Sequence, residues 1–254
     1  MSMRFSRPHR PADFLVARPI AHRGLHDVEA GVVENTASAF AAAIARNYAI
    51  ECDLQVTRDG EAVVFHDDGL ERLTEGKGMV KSLTAPEMQQ QKIRGSNDRV
   101  QTLSELLQQV DGRVPLAIEL KSHWDGDERL ATCALSVLKD YDGPHALMSF
   151  DPDVVEAIAG KSPDTFRGIV ADRADHPFYD TLPLPRRLEL RTLGYLGRVK
   201  PDFISFYHGE LPWAPLTAYR GAGHPVISWT VRSPEQAAVA RRYSDQITFE
   251  RFHA

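Results

Sequence analysis

Cysteine is nearly absent: Cys52 and Cys133 are the only two in 254 residues. That excludes a disulfide-stapled scaffold and suits a soluble protein of a reducing compartment, which we take to be the cytoplasm. Long apolar runs are missing as well. No segment stays apolar for the roughly 20 residues that span a bilayer, and residues 1–11, although basic, lack the apolar stretch of a signal peptide. Basic residues are outnumbered, 30 Lys and Arg against 35 Asp and Glu, for a net charge of −5 and a pI near 6.1. With no basic stripe along the chain, this argues against nucleic acid as a partner and leaves room only for a local basic site that grips an anionic ligand. Also lacking are a Ser/Gly/Pro-rich linker, a block of like charge, an internal repeat, a heptad run and a low-complexity segment. What remains is 43% hydrophobic and long enough to bury a sizeable core as one domain, 1–254. Nothing in it specifies an oligomeric state.

Short β-branched and apolar runs alternate with amphipathic ones. Strands are expected at 18–21, 49–56, 61–65, 114–120, 145–149, 166–171, 202–206, 225–230 and 246–249. Helical patterns lie between several of them: 36–46 carries Ala37, Phe40, Ala41 and Ile44 on one face, and 130–139, 152–159 and 234–242 are similar. Thr84-Ala-Pro-Glu87 and Thr102-Leu-Ser-Glu105 both fit a capping box, in which hydroxyl and carboxylate satisfy the free amides of a first helical turn. Alternation of this kind over one domain predicts an α/β fold, a (β/α)8 TIM barrel, with a doubly wound open sheet as the runner-up. Nine strands are one more than a closed barrel needs. Either Val56-Thr-Arg-Asp-Gly-Glu61 turns a hairpin, so that the second and third runs pair antiparallel above the rim, or the last run is accessory.

The chemically informative side chains stand within or at the ends of these runs. Glu51 and Asp53 are two apart, so a strand projects both carboxylates from one face, where they can share a cation; Cys52 between them points the other way, as a buried free thiol. Glu119 and Lys121 repeat the spacing in Leu116-Ala-Ile-Glu-Leu-Lys121. A solvent-facing strand edge explains a single such pair about two times in three, and finding two pairs on apolar strands lowers those odds. Three carboxylates with no thiolate on their face suit a hard cation, Mg2+ or Ca2+, better than Zn2+. His22 closes Pro19-Ile-Ala-His22, and His66 closes Ala62-Val-Val-Phe-His66. Alone, each is more often structural than catalytic, by roughly two to one; beside a metal cluster the pair can supply the base and the acid of a hydrolysis. Arg23 offers a planar fork to a phosphate or carboxylate, and Lys121 a point charge.

In order along the chain, Ala21-His-Arg-Gly24, Glu34-Asn-Thr36, Glu51-Cys-Asp53, Thr57-Arg-Asp-Gly60, Val63-Val-Phe-His-Asp67, Glu119-Leu-Lys121, Ser149-Phe-Asp-Pro152 and Trp229-Thr-Val231 resemble the landmarks of the glycerophosphodiester phosphodiesterase family. The resemblance runs over residues 20–231, and an ordered set of that length is specific. It implies a TIM barrel with its site on the C-terminal face. It further implies Glu51, Asp53 and Glu119 as ligands of a divalent cation, His22 and His66 as the acid–base pair, Arg23 and Lys121 as phosphate-binding residues, and Trp229 as the aromatic bordering the substrate. The implied activity is metal-dependent hydrolysis of a small-molecule glycerophosphodiester to glycerol 3-phosphate and an alcohol. A lysophospholipase D-like or cyclising phosphodiesterase on the same scaffold is the nearer alternative, which an apolar groove near Phe206, Trp213 and Trp229 would favour. A catalytically silent module that binds a phosphorylated ligand is the distant one, and the presence of both histidines and all three carboxylates counts against it.

The resemblance also implies an insertion after the third strand, at about 68–113, that partly covers the barrel mouth. Its two capping boxes and Gln89-Gln-Gln91 make it an ordered cover. Three positions depart from the family pattern. Val33 stands where proline usually precedes Glu-Asn-Thr, a change expected to alter loop rigidity alone. Leu73 replaces a frequent threonine, and Ile247-Thr-Phe-Glu250 stands where many members read Thr-Asp and then proline. The last is expected to change contacts on the glycerol and leaving-group side without touching a metal or proton-transfer residue. Asn35 and Thr36 are candidates to orient substrate, although Thr36 is at least as well suited to cap the helix that follows. Arg186-Arg187 reads as a solvated helix face, and His26, His123, His145, His176 and His224 have no spacing that implies metal.

Overall fold

The computed structural model describes residues 12–254, so the basic segment 1–11 lies outside the described residues. Among the described residues nine strands form: β1 (Ile20–Ala21), β2 (Ala49–Val56), β3 (Ala62–Val64), β4 (Leu116–Leu120), β5 (His145–Ser149), β6 (Arg167–Ala171), β7 (Phe203–Tyr207), β8 (Val226–Val231) and β9 (Gln246–Phe249). All but β3 are parallel and close a barrel, β9 pairing back onto β1 and β1 onto β2. β1 is short because Arg23 and Gly24 turn the chain with left-handed φ of 56° and 79°. On β2 it therefore reaches only Ala49 and Ile50, and the upper edge of β2 is taken by β3, antiparallel, with Leu54 opposite Val64. Of the two alternatives for the surplus strand, the hairpin is the one that forms. Gly24 meets two demands at once: its positive φ, and a following helix so close that a Cβ would stand 2.8 Å from that of Ala39.

The helices are α1 (Asp13–Val16), α2 (Ala37–Ala45), α3 (Ala85–Gln89), α4 (Leu103–Val110), α5 (Arg129–Leu138), α6 (Pro152–Lys161), α7 (Leu184–Arg191), α8 (Leu196–Val199), α9 (Ala214–Gly221) and α10 (Pro234–Ala240). None of the described helices is long and apolar enough to cross a membrane. Thr36 caps α2 by accepting from the Ala39 N–H, and both expected capping boxes are present. α7 buries only Leu190, which is why its sequence shows no apolar stripe. Nor is Arg186 simply solvated: it pairs with Asp153 and Glu189, and Arg198 joins the same two carboxylates.

Inside the barrel Ile20, Ala49, Ala117, Ala146, Val170, Phe203 and Ile227 pack together. Gly168 has no side chain because the Phe203 ring fills that space, where a Cβ would collide with it. α1 closes the N-terminal end, Phe14 meeting Phe166 edge to face at 5.0 Å. Cys52 lies on the opposite side of β2 from the carboxylates, fully buried among the apolar residues under the helices. Residues 68–100 build a separate small core in which Leu70, Val80, Met88, Ile93 and Val100 pack against Val33, Val63 and Phe65. Val33 is thus a wall of that core and not only a variation in loop stiffness. The expected insertion, 68–113, takes in this small core and runs on through α4. Its second capped helix, α4, buries Leu103, Leu106, Leu107 and Val110 in the outer core of the barrel, each worth about 1.5–3 kcal/mol of burial.

Candidate active site

Register brings the carboxylates together. β2 and β4 are neighbours with Asp53 opposite Glu119, and Glu51, Asp53 and Glu119 offer oxygens that all lie within 4.8 Å of one another. All three are buried, and three buried like charges cannot coexist without compensation. Burial, then the charges of Asp53 and Glu119, push the Glu51 carboxyl well above the usual carboxylate range. Burial opposes ionisation of Asp53 too, but Lys121, and after it His66, Arg23 and His22, hold it below that range. Asn35 fixes Asp53 from a left-handed backbone (φ 57°): its Nδ2 donates to Asp53 Oδ2 at 2.8 Å, and its Oδ1 accepts from the Asp53 N–H at 3.3 Å. An all-oxygen donor set in which one member is driven to keep its proton fits a hard divalent cation.

Two basic side chains stand against this triad. Lys121, just past β4, places Nζ 2.8 Å from Asp53 Oδ1 and 2.6 Å from Glu119 Oε1. The Arg23 N–H donates to Glu51 Oε2 at 3.0 Å, and its Nη1 donates to Glu34 Oε1 at 2.6 Å. Arg23 Nε is 3.2 Å from Asp53 Oδ2, near enough for charge attraction but off line, so this buried N–H has no hydrogen-bond acceptor among the described residues. Arg72, from the cover, forks onto both Glu34 and Asp67, and Asp67 Oδ1 lies 2.7 Å from His66 Nδ1. Charged groups therefore run without a break from Arg23 through Glu34, Arg72 and Asp67 to His66. Burial alone would raise Glu34; the hydrogen bond from Arg72 and the charges of Arg23 and Arg72 bring it down to about 2.

His22 is seated where its N–H donates to Phe249 O at 2.9 Å. Its Nδ1 is 2.8 Å from Glu250 Oε2, and its Nε2 is 3.9 Å from Glu51 Oε2. Burial lowers its pKa, outweighing the hydrogen bond to Glu250. The expectation that Glu250 touches no proton-transfer candidate is therefore overturned. The reason is closure: β9 pairs with β1, so the residue after Phe249 stands beside the residue after Ala21. His26 joins them, with ligand atoms of all three residues within 4.8 Å of one another.

A cavity of about 220 Å³ opens onto this end of the barrel, lined by His22, Arg23, Glu51, His66, Glu119, Lys121, Phe150 and Trp229. Ser205, Thr230 and Thr248 add hydroxyls to its wall. An outer cavity of about 560 Å³ shares His66, Glu119, Lys121, Phe150 and Trp229 and adds Trp124, Asp172, His176, Phe178 and Tyr179. Of the eight predicted site residues, only Asp53 lines neither; it stands behind, bound to Asn35 and Lys121. Trp229 is wedged between Phe150 and Tyr207, ring centroids 5.4 and 5.5 Å away, and its Nε1 donates to Ser205 O at 3.0 Å. Phe206 and Trp213 stack on each other among the helices, apart from Trp229, so these three residues do not form a shared groove. Sequence reasoning missed Arg72, Arg232 and the three hydroxyl residues. For the last, a signal existed: Ser205 and Thr248 each stand between two apolar strand residues, at positions lining the inner cavity.

Buried carboxylates, two histidines and two basic side chains at one mouth of a (β/α)8 barrel define a barrel enzyme built to handle an anionic ester. The chain belongs to the Glycerophosphoryl diester phosphodiesterase family, whose model matches residues 22–246. YhdW of Bacillus subtilis (strain 168), provisionally named a glycerophosphodiester phosphodiesterase, is 38% identical over 234 residues, covering 86% of this chain and 88% of that protein. Among solved structures, an Oleispira antarctica phosphodiesterase in complex with the product sn-glycerol-3-phosphate aligns with a TM-score of 0.78 at 20% identity, over 94% of this chain and 95% of that one. The Thermotoga maritima glycerophosphodiester phosphodiesterase aligns with a TM-score of 0.69 at 24% identity, over 91% and 92%. At such identities the structural likeness speaks to the fold.

Proposed function

We propose that this chain is a metal-dependent glycerophosphodiester phosphodiesterase that releases glycerol 3-phosphate and an alcohol. The observation that carries the reading is a cation site beside an anion site at one cavity: Glu51 and Glu119 on its wall with Asp53 behind them, and a buried Arg23 N–H without an acceptor among the described residues. The names of its relatives, and a fold neighbour holding sn-glycerol-3-phosphate, support the same reading. Glu51, Asp53 and Glu119 would hold Mg2+ or Ca2+, which supplies neutralisation of phosphoryl charge and a lowered pKa for a nearby hydroxyl or water. Arg23 and Lys121 grip the phosphate. One of His22 and His66 takes the proton of the nucleophile, and the other returns one to the leaving alkoxide. The hydroxyl-lined inner cavity suits glycerol and the larger outer one the alcohol, with Trp229 bordering both. Glycerol's own 2-hydroxyl, held next to the phosphorus, is the favoured nucleophile; the cyclic phosphate so formed is opened by water with the histidines in exchanged roles. The two unpaired cysteines accord with a cytoplasmic setting.

The test is release of glycerol 3-phosphate by purified protein from a panel of glycerophosphodiesters, with and without Mg2+ or Ca2+. Release should require the cation and fall about 10²–10⁴-fold in His66→Ala. Full release after exhaustive chelation, or no release from any diester, refutes the reading. A 2-deoxy analogue cleaved as fast as its parent would replace the cyclic route by direct attack of water.

A further inference from the structure

We infer that Glu250 is a positioning residue for His22, holding the imidazole in the tautomer that carries its proton on Nδ1 and presents the Nε2 lone pair toward the triad. This rests on the reading of His22 as a proton-transfer residue. A carboxylate can only accept, so the 2.8 Å contact to Glu250 Oε2 requires Nδ1 to donate. Nε2 is then the unprotonated nitrogen, and it is the one on the Glu51 side, 3.9 Å from Oε2 of that residue. His22 lines the inner cavity whereas Glu250 does not, so Glu250 acts through the ring and not on substrate. It is itself fixed. Its N–H donates to Val231 O at 3.0 Å, and its Oε1 accepts from Arg232 Nε at 2.6 Å, which leaves Oε2 to His22 at 2.8 Å, with His26 Nε2 farther off at 3.6 Å.

Arg232 makes the idea sharply testable. Glu250→Gln is nearly isosteric, so a purely structural Glu250 should tolerate glutamine better than alanine. Positioning gives the opposite order. The cationic Arg232 keeps the single amide oxygen, the amide NH2 turns to His22 and donates to Nδ1, and the ring proton is driven onto Nε2. For Glu250→Gln we expect kcat to fall about 10²–10³-fold with KM within about threefold of wild type, at least as severe as Glu250→Ala, and largely rescued in Glu250→Asp. Nitrogen-15 shifts of the His22 ring, in histidine-labelled full-length protein and assigned with His22→Gln, should show Nδ1–H in wild type and Nε2–H in Glu250→Gln. A glutamine variant within a few-fold of wild-type kcat, or one that keeps Nδ1–H, overturns the inference. So does an Nε2–H ring in wild type, which decides the matter even should Glu250→Gln fail to fold. The shifts are read without substrate; a wild-type protein that cleaves no diester would sink the proposed function while the tautomer still answers for Glu250.

Discussion

Lys121→Met should destabilise the protein in chelator and do so far less in the presence of a divalent cation. The Lys121 side chain is 16% exposed, and its ammonium lies 2.8 Å from Asp53 and 2.6 Å from Glu119. Its removal leaves three buried carboxylates facing Arg23, which is already shared with Glu34. Breaking a buried ion pair costs about 3–5 kcal/mol, and because one ammonium serves both contacts the figure is not doubled. At roughly 2–4 °C per kcal/mol for a domain of this size, Tm should drop by about 6–20 °C. Part of the penalty is relieved when Glu51, already raised by burial, Asp53 and Glu119, keeps a proton, so the deficit should widen as pH rises. Mg2+ or Ca2+ at about 1,000 times its Kd returns about 4 kcal/mol, and more to the variant than to wild type because no ammonium competes for the same oxygens. Calorimetric melts of both proteins, in chelator and in each cation at two pH values, measure all of this. A variant that melts with wild type in chelator, or equal stabilisation of both by the cation, would show that Lys121 does not neutralise the triad.

Glu51 has a folded pKa above its ordinary 4.5, so its proton contributes stability that is complete below that value and lost as pH rises through the raised one. Denaturant midpoints in chelator should therefore fall with pH in wild type and hold steadier in Glu51→Gln; parallel profiles would contradict this. Glu34 runs the other way, from 4.5 to about 2, contributing up to about 3 kcal/mol that is present above 4.5 and lost as pH falls through 2. Glu34→Gln should flatten the acid limb of the stability curve, and an unchanged limb would remove the Arg23–Glu34–Arg72 link from the account. Gly24→Ala, strained by its φ and by the approach of Ala39, should cost about 1–3 kcal/mol in urea unfolding; a cost near zero would mean that the loop relaxes freely.

What was legible in the sequence is what depends on near neighbours. Glu51 and Asp53 share a face because strand side chains alternate, and the apolar runs that became β2, β5 and β9 fall at the expected residues. β1 came out shorter than its expected run, starting at Ile20 and not at Arg18, because Pro19 has no amide to donate to a neighbouring strand. α7 showed only as a charged helix face at Arg186-Arg187, without bounds, because it is held by the Arg186 and Arg198 ion pairs more than by apolar burial. Arg72 could not be placed before the cover had folded, since its carboxylate partner Glu34 is 38 residues away. Glu250 was misjudged for the same reason on a larger scale: strand closure, and not spacing, makes it a neighbour of His22.

That separation, 228 residues, orders events during synthesis. His22 emerges from the ribosome with the opening strand of the barrel, and its carboxylate with the closing one. By the time β8 has been made, the nascent chain already holds both histidines, the whole carboxylate triad, Arg23 and Lys121, yet the edges of β1 and β8 are still bare. Pairing of β9 with β1 seals the cylinder and delivers Glu250 in the same step. A chain stopped short of it would carry nearly every reactive group and have neither a closed wall nor an oriented His22, so enzymatic competence arrives with the last strand and not gradually.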